Sequence, residues 1–268
     1  MAVKFNFKKH YDVNDLIEIV RILREPDGCP WDREQTHSSI KKNFIEETYE
    51  VIEAINKQDS NLLCEELGDV LLQVALHSQM ESEKGNFDFS DAVDGICQKL
   101  IIRHPHVFGS ESANSADEAL LSWDAVKKKT KGQKNQTESM QSVPRELPAL
   151  MRAQKVQQKA AKSGFDWKDA GGAFDKLAEE INELKIALSE NNRQQIEEEF
   201  GDLLFSAVNV GRFVNCDCEE ALTSATDKFI ARFKLVEKMA EEIGVEMNSL
   251  PLSVLDSYWN EAKVLLSK

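Results

Sequence analysis

Two sets of carboxylates recur along this chain at one spacing. Glu46-Glu47-Thr-Tyr-Glu50 is followed by Glu66-Leu-Gly-Asp69, and the same interval later Glu179-Glu180-Ile-Asn-Glu183 is followed by Glu199-Phe-Gly-Asp202. Glu47, Glu50, Glu66 and Asp69 thus form one candidate set, and Glu180, Glu183, Glu199 and Asp202 a second. Most helix carboxylates are solvated surface, but Glu66 falls inside an apolar arc, between Leu62 on one side and Leu63, Val70 and Val74 on the other. A carboxylate there must be paired, protonated or bound to a cation. Oxygen donors without nitrogen or sulfur select Mg²⁺ or Mn²⁺. Di-iron bundles use Glu-x-x-His, whereas both motifs here end in Asp, which disfavours a ferritin-like oxidase. A buried Mg²⁺ cluster in an acidic protein suits a phosphorylated substrate, since the metal bridges groups that otherwise repel. Lys99 with Arg103, and Lys228 with Arg232, share a helix face at i and i+4 and could hold phosphate oxygens. Their spacing alone fits an ordinary surface charge pair equally well.

The elements that must position these groups are helical hairpins. Leu63, Leu67, Val70 and Val74, and again Ile196, Phe200, Leu203 and Ala207, recur at three- and four-residue steps, and strand signals are nearly absent. Short polar turns fall at Lys57 to Asn61 and Ser189 to Asn192. Glu50 and Glu66 lie equally far from Gln58, as Glu183 and Glu199 do from Asn191, so at the helical rise each pair sits at one height across its hairpin. Glu47 and Asp69, and their counterparts, lie on the same faces one turn away. The reading is an all-α fold of two tandem helical bundles from an internal duplication. It predicts domains at 1–126 and 149–268, a polar linker at 127–148 ending in Pro144 and Pro148, and long helices at Asp88 to Arg103, Glu219 to Ile243 and Leu252 to Leu266.

Composition narrows the function. The chain has 268 residues and a formal charge of -14, with 41% hydrophobic residues. A nucleic-acid polymer is an unsuitable partner, because counterion release needs a basic face and the one dense lysine cluster is Lys127, Lys128, Lys129 and Lys131. The start, Met1 to His10, has no apolar leader, no apolar run is long enough for a bilayer, and a cytoplasmic location is expected. Cys29, Cys64, Cys97, Cys216 and Cys218 make an odd set without C-x-x-C, as reduced thiols do. His104 and His106, flanking Pro105, read as a hydrogen-bonded turn more readily than as a metal pair. Trp259 reads as core on composition alone.

Taken together, Glu-Glu-x-x-Glu, a spacer and Glu-x-x-Asp resemble the all-α nucleoside triphosphate pyrophosphohydrolases. Gly28-Cys-Pro-Trp-Asp32, Arg103-His-Pro-His-Val-Phe108, Leu147-Pro-Ala-Leu-Met-Arg-Ala-Gln-Lys155 and Gly164-Phe-Asp-Trp167 extend the likeness over nearly the whole chain to the two-domain bacterial MazG family. The resemblance implies hydrolysis of nucleoside triphosphates to monophosphate and pyrophosphate, with Mg²⁺, in a homodimer whose second domain is the principal catalytic one. It assigns Glu180, Glu183, Glu199 and Asp202 to the metal, with Glu179 and Glu198 nearby, and Lys176, Glu179, Lys228, Arg232 and Trp259 to the nucleotide. Glu180, Glu183, Lys228 and Arg232 are the expected catalytic groups. Where some members carry a lysine before the acidic run, this chain has Gln195, with Arg193 two residues earlier. The expected chemistry is in-line attack of an activated water on the α-phosphorus, with the cation and the Lys228/Arg232 pair neutralising charge on the leaving pyrophosphate. Two other readings fit the residues: an enzyme restricted to dUTP or dCTP, and a non-catalytic nucleotide-binding regulator.

Overall fold

The computed structural model describes residues 5–130 and 135–267, without the side chains of 124, 125 and 128–130. The chain divides into two compact units, Met1–Lys131 and Gly132–Lys268. Among the described residues every regular element is helical, as the apolar spacing predicts.

In the first unit the helices are α1 (Val13–Arg24), α2 (Pro30–Glu34), α3 (Lys41–Lys57), α4 (Ser60–Ser82), α5 (Phe89–Arg103), α6 (Pro105–Phe108) and α7 (Ala116–Thr130). The starts of α1, α4 and α5 are set by short acidic side chains, which satisfy amide donors that have no partner within the helix. Asp12 caps α1 and Asp88 caps α5, each in a reciprocal box with the aspartate three residues on, while Asp59 caps α4. Part of the chain's negative charge therefore belongs to helix ends. Val20 of α1, Ile40, and Ala75, Leu76 and Met80 of α4 form the core, with Leu16, Leu72 and Phe89 against it. Arg24 extends this contact: its guanidinium, 6% exposed, holds Glu83 at 2.7 Å and donates to the Asp32 carbonyl at 2.5 Å. At Gly28 the chain runs so close to α1 that an added Cβ would stand 2.2 Å from the Ile22 carbonyl oxygen, and only glycine fits.

In the second unit the helices are α8 (Gln136–Gln141), α9 (Ala149–Ala161), α10 (Ala170–Ser189), α11 (Arg193–Phe213), α12 (Cys218–Glu242) and α13 (Leu252–Leu266). Asp169, Asn192 and Asp217 cap α10, α11 and α12. Ala173 and Ala187 of α10, Val208 of α11, Val236 and Ala240 of α12 and Ala262 of α13 are buried, and the small side chains bring helix axes close. Gln157 of α9 donates to the Phe205 carbonyl at 2.8 Å. Arg212 holds Asp166 through two bonds, one of 2.9 Å.

The hairpin turns fall on the expected residues. Gln58 and Asn191 both adopt a left-handed backbone, with φ of 54° and 53°, between α3 and α4 and between α10 and α11. The long helices match the expected spans to within a residue at each end. Residues 127–148, expected as a linker, include the last turn of α7 and the whole of α8. Of the lysine run, the side chains of Lys128 and Lys129 and all of Lys131 lie outside the described residues. All five cysteines are free thiols. No helix is long and apolar enough to cross a membrane among the described residues.

Candidate active site

The two hairpins bring the carboxylates together. In the second unit, oxygens of Glu180 on α10 and of Glu199 and Asp202 on α11 lie within 4.8 Å of one another. In the first unit Glu47 on α3 and Glu66 and Asp69 on α4 do the same. These distances suit shared coordination of a hard divalent cation, and the all-oxygen donor set suits Mg²⁺ or Mn²⁺. Glu180 and Glu66, at 4% and 9% exposure, are the buried members, which places Glu66 in the apolar arc where its helical phase puts it. The matching hairpins make the two sets near copies.

Glu50 and Glu183 stand beside these trios. Glu50 adds its charge to the surroundings of both Glu47 and Glu66. Burial, then the Glu50 charge, pushes the Glu66 carboxyl above its ordinary range, and burial followed by Asp69 does so for Glu47. Glu183 is likewise raised, first by burial and then by Glu199, with Lys176 acting in the opposite direction. Glu47, Glu66 and Glu183 therefore give up their protons less readily than ordinary glutamates.

The basic and aromatic residues of the second unit collect on neighbouring helices. Lys176, one turn before Glu180 on α10, places Nζ 2.8 Å from Glu180 Oε1 and 2.9 Å from Glu179. Those carboxylates raise its pKa, Glu180 most. Lys176, expected at the nucleotide, is thus held by the acidic set in this state. Lys228 of α12 is exposed, and one turn on Arg232 lies with Cζ 5.8 Å from the Trp259 ring of α13. Trp259 also packs on Phe229 at 5.0 Å between centroids. Its place is both core and site, because one face carries the guanidinium of a candidate phosphate ligand. Gln195 bonds the cap residue Asn192 at 2.7 Å and Arg193 pairs with Glu197 at 2.8 Å.

Sequence reasoning missed two things. Trp123 on α7 receives the Arg103 guanidinium at 5.3 Å, as Trp259 receives Arg232. The second is that Asn43 stands in the first unit where the repeat places Lys176 in the second. The first was obscured by unequal connections before α7 and α13; the second was legible by counting. The histidine turn is half as expected. His104 bonds the Leu100 carbonyl at 2.6 Å and ends α5, while His106 Nδ1 is shielded and has no hydrogen-bond partner among the described residues.

Known proteins are similar to this chain in sequence. The profile of the MazG nucleotide pyrophosphohydrolase domain matches residues 35–108 and 173–237, one hairpin and its following helix in each unit. A Thermotoga maritima protein named nucleoside triphosphate pyrophosphohydrolase/pyrophosphatase MazG is 46% identical over 249 residues, covering 93% of this chain and 94% of that protein. An Escherichia coli K12 protein named nucleoside triphosphate pyrophosphohydrolase is 42% identical over 254 residues, covering 94% and 97%. With two matched hairpins and likeness along nearly the full length, this chain belongs to the MazG nucleotide pyrophosphohydrolase family.

Proposed function

We propose that the protein hydrolyses nucleoside triphosphates, ATP among them, to nucleoside monophosphate and pyrophosphate with Mg²⁺, and that the second unit does so. The observation that carries this reading is the meeting of Glu180, Glu199 and Asp202 within 4.8 Å, with Arg232 on the next helix of the chain and Trp259 on the one after it. When bound, a divalent cation supplies charge neutralisation and lowers the pKa of water. Glu180, Glu199 and Asp202 hold it, and Glu183 adds a fourth carboxylate at the same level. Lys228 and Arg232 take the phosphate oxygens, and the guanidinium can accept two of them side by side. Trp259 presents a face to the base. Water adds to the α-phosphorus as the bond to the α,β-bridging oxygen breaks, and the electron pair leaves with pyrophosphate. Lys176, released from Glu180 when a cation arrives, becomes available to the triphosphate.

A homodimer and a cytoplasmic location belong to the same proposal. Leu67 and Leu71 of α4, Ile96 and Leu100 of α5, Phe200 and Leu204 of α11 and Phe229 and Ile230 of α12 are each at least 38% exposed in one chain. Apolar helix faces this wide are covered in stable proteins, and a second copy supplies a matching face.

The test is release of pyrophosphate and orthophosphate from a panel of NTPs and dNTPs with Mg²⁺, for wild type beside Glu50→Ala and Glu183→Ala. Pyrophosphate lost only in Glu183→Ala supports the proposal. Activity confined to dUTP or dCTP would leave the restricted enzyme. No pyrophosphate from any nucleotide would leave the regulatory binder.

A further inference from the structure

Each carboxylate hairpin is fixed at one end by its turn, and its other end is free to splay unless something closes it. Arg212 of α11 and Ala170 of α10 lie equally far from Asn191, so the end of α11 comes level with the start of α10. There the Arg212 guanidinium, 14% exposed, grips both carboxylate oxygens of Asp166, in the entry to α10, and bonds Asn209 at 2.9 Å. Asp166 Oδ1 also accepts the Trp167 amide at 2.9 Å. The Trp167 indole lies across the first turn of α10, where a Cβ added to Gly172 would stand 2.7 Å from its Cε3. The ion pair thus fixes the separation of the two helices, and the indole fixes how α10 begins.

The first unit closes the same end of its hairpin with other residues. Glu83, just past α4, and Arg33 lie equally far from Gln58. Arg24, arriving from α1, binds Glu83 at 2.7 and 2.8 Å and donates across to the carbonyl oxygens of Asp32 and Gln35. The repeat sets Gln79 against Arg212 and Arg33 against Asp166, so neither clasp is a copy of the other. Partly buried ion pairs add little stability against their desolvation cost, and their best-attested use is to fix register. Two different sets of side chains meeting one geometric need point to that use here.

The carboxylates stand about midway between turn and clasp, so parting the open end by about 1 Å separates them by about half as much. Cation donors tolerate displacements of only about 0.2 Å. We propose that Arg212 and Asp166 are positioning residues, whose ion pair holds Glu180 on α10 at cation-binding distance from Glu199 and Asp202 on α11. The inference rests on the cation reading of that set and adds what keeps the set assembled.

The test uses the full-length chain carrying Glu66→Gln and Asp69→Asn, which leaves only the second unit's set intact. Electron paramagnetic resonance of free Mn²⁺ gives the affinity, and pyrophosphate release from ATP at saturating Mg²⁺ gives kcat and KM. Asp166→Ala and Arg212→Ala are each expected to weaken Mn²⁺ binding about tenfold. The double variant should bind no more weakly than either, because one loss already opens the clasp. The kcat should fall by about the same factor while KM stays within about twofold, since Lys228, Arg232 and Trp259 lie on other helices. Should the alanine variants fail to fold, Arg212→Lys, which keeps the charge without the fork, is expected to weaken Mn²⁺ binding at least about threefold. Unchanged affinity and kcat in a folded variant with a lowered melting temperature would overturn the inference, leaving the pair a stabilising contact and the cation reading intact. Additive losses in the double variant would also overturn it. Neither Mn²⁺ binding nor pyrophosphate before the clasp is touched would remove the cation reading and the inference with it.

Discussion

Lys176 Nζ lies 2.8 Å from Glu180 Oε1, and that carboxylate is the most buried member of its set. In the proposed site the lysine therefore occupies an oxygen that the cation would use. Charge-assisted bonds of this kind contribute about 1.5–3 kcal/mol, or roughly tenfold or more in an equilibrium constant. In Lys176→Met, binding of Mn²⁺ without nucleotide should tighten by about tenfold, read by electron paramagnetic resonance of free Mn²⁺. The KM for nucleotide should rise, because the triphosphate loses a cationic partner. Weaker Mn²⁺ binding would show that the lysine organises the site instead of competing for it.

Removing a carboxylate separates chemistry from stability. Glu183→Gln should lower pyrophosphate release by at least about a hundredfold, given the several kcal/mol that a metal site contributes, while helical circular dichroism is unchanged. Its pKa is raised in the fold by burial and by Glu199, so the ionised form works against folding. That penalty is absent in acid and develops as pH rises through the folded pKa. Metal-free Glu183→Gln should accordingly melt above metal-free wild type at pH 8 and level with it near pH 4. For the same reason Mg²⁺ should raise the melting temperature more at pH 8 than at pH 5, where protons compete for the oxygens. Equal shifts at both pH values would argue against carboxylate ligation.

A histidine pair lies outside both carboxylate sets. His37 Nδ1 is 2.6 Å from His77 Nδ1, the rings are parallel to within 3°, and His37 Nε2 is 2.6 Å from Glu81. Lys84 and Asn86 also bind Glu81, and with His37 they hold its carboxyl down at about 2. An ionised Glu81 requires a proton on His37 Nε2, so the two facing Nδ1 atoms carry one proton between them. Burial first and His37 second depress His77. By NMR, His77 should titrate below the ordinary histidine range, and His37→Ala should move it partly back up. The Glu81 contribution to stability is present above the ordinary glutamate range and lost as pH falls toward 2, so Glu81→Gln should destabilise at pH 6 and far less near pH 2. An unchanged pH profile in that variant would dismiss the network as a stabilising element.

Gly28 supplies a test of packing. Since an added Cβ would meet the Ile22 and Leu23 carbonyl oxygens at 2.2 and 2.5 Å, backbone has to move in Gly28→Ala. A loss of about 1–3 kcal/mol in urea unfolding is expected. An unchanged midpoint would mean that the loop relaxes freely away from α1.

Much of this arrangement was legible because helices count regularly. Gln58 and Asn191 follow from the spacing of Glu50 to Glu66 and Glu183 to Glu199, and both are where the chain reverses. The burial of Glu66 follows from its phase among Leu62, Leu63, Val70 and Val74. Trp123 was not legible, because the pairing with Arg103 crosses from α5 to α7 over a connection, α6 included, that is longer than the one between α12 and α13 in the second unit. Nor did the periodic pattern reveal that Leu67 and Phe200 are 51% and 52% exposed in a single chain. Apolar spacing shows which face seeks cover, not whether the same chain provides it.

The turns at Gln58 and Asn191 make each hairpin a measuring device. One residue added to α10 between Glu183 and Asn191 would rotate Glu180 and Glu183 by about 100° and shift them by about 1.5 Å against Glu199 and Asp202. Every carboxylate would still be present in the sequence, yet they would no longer face one another. Between its acidic motifs the chain can thus exchange many side chains but not its length.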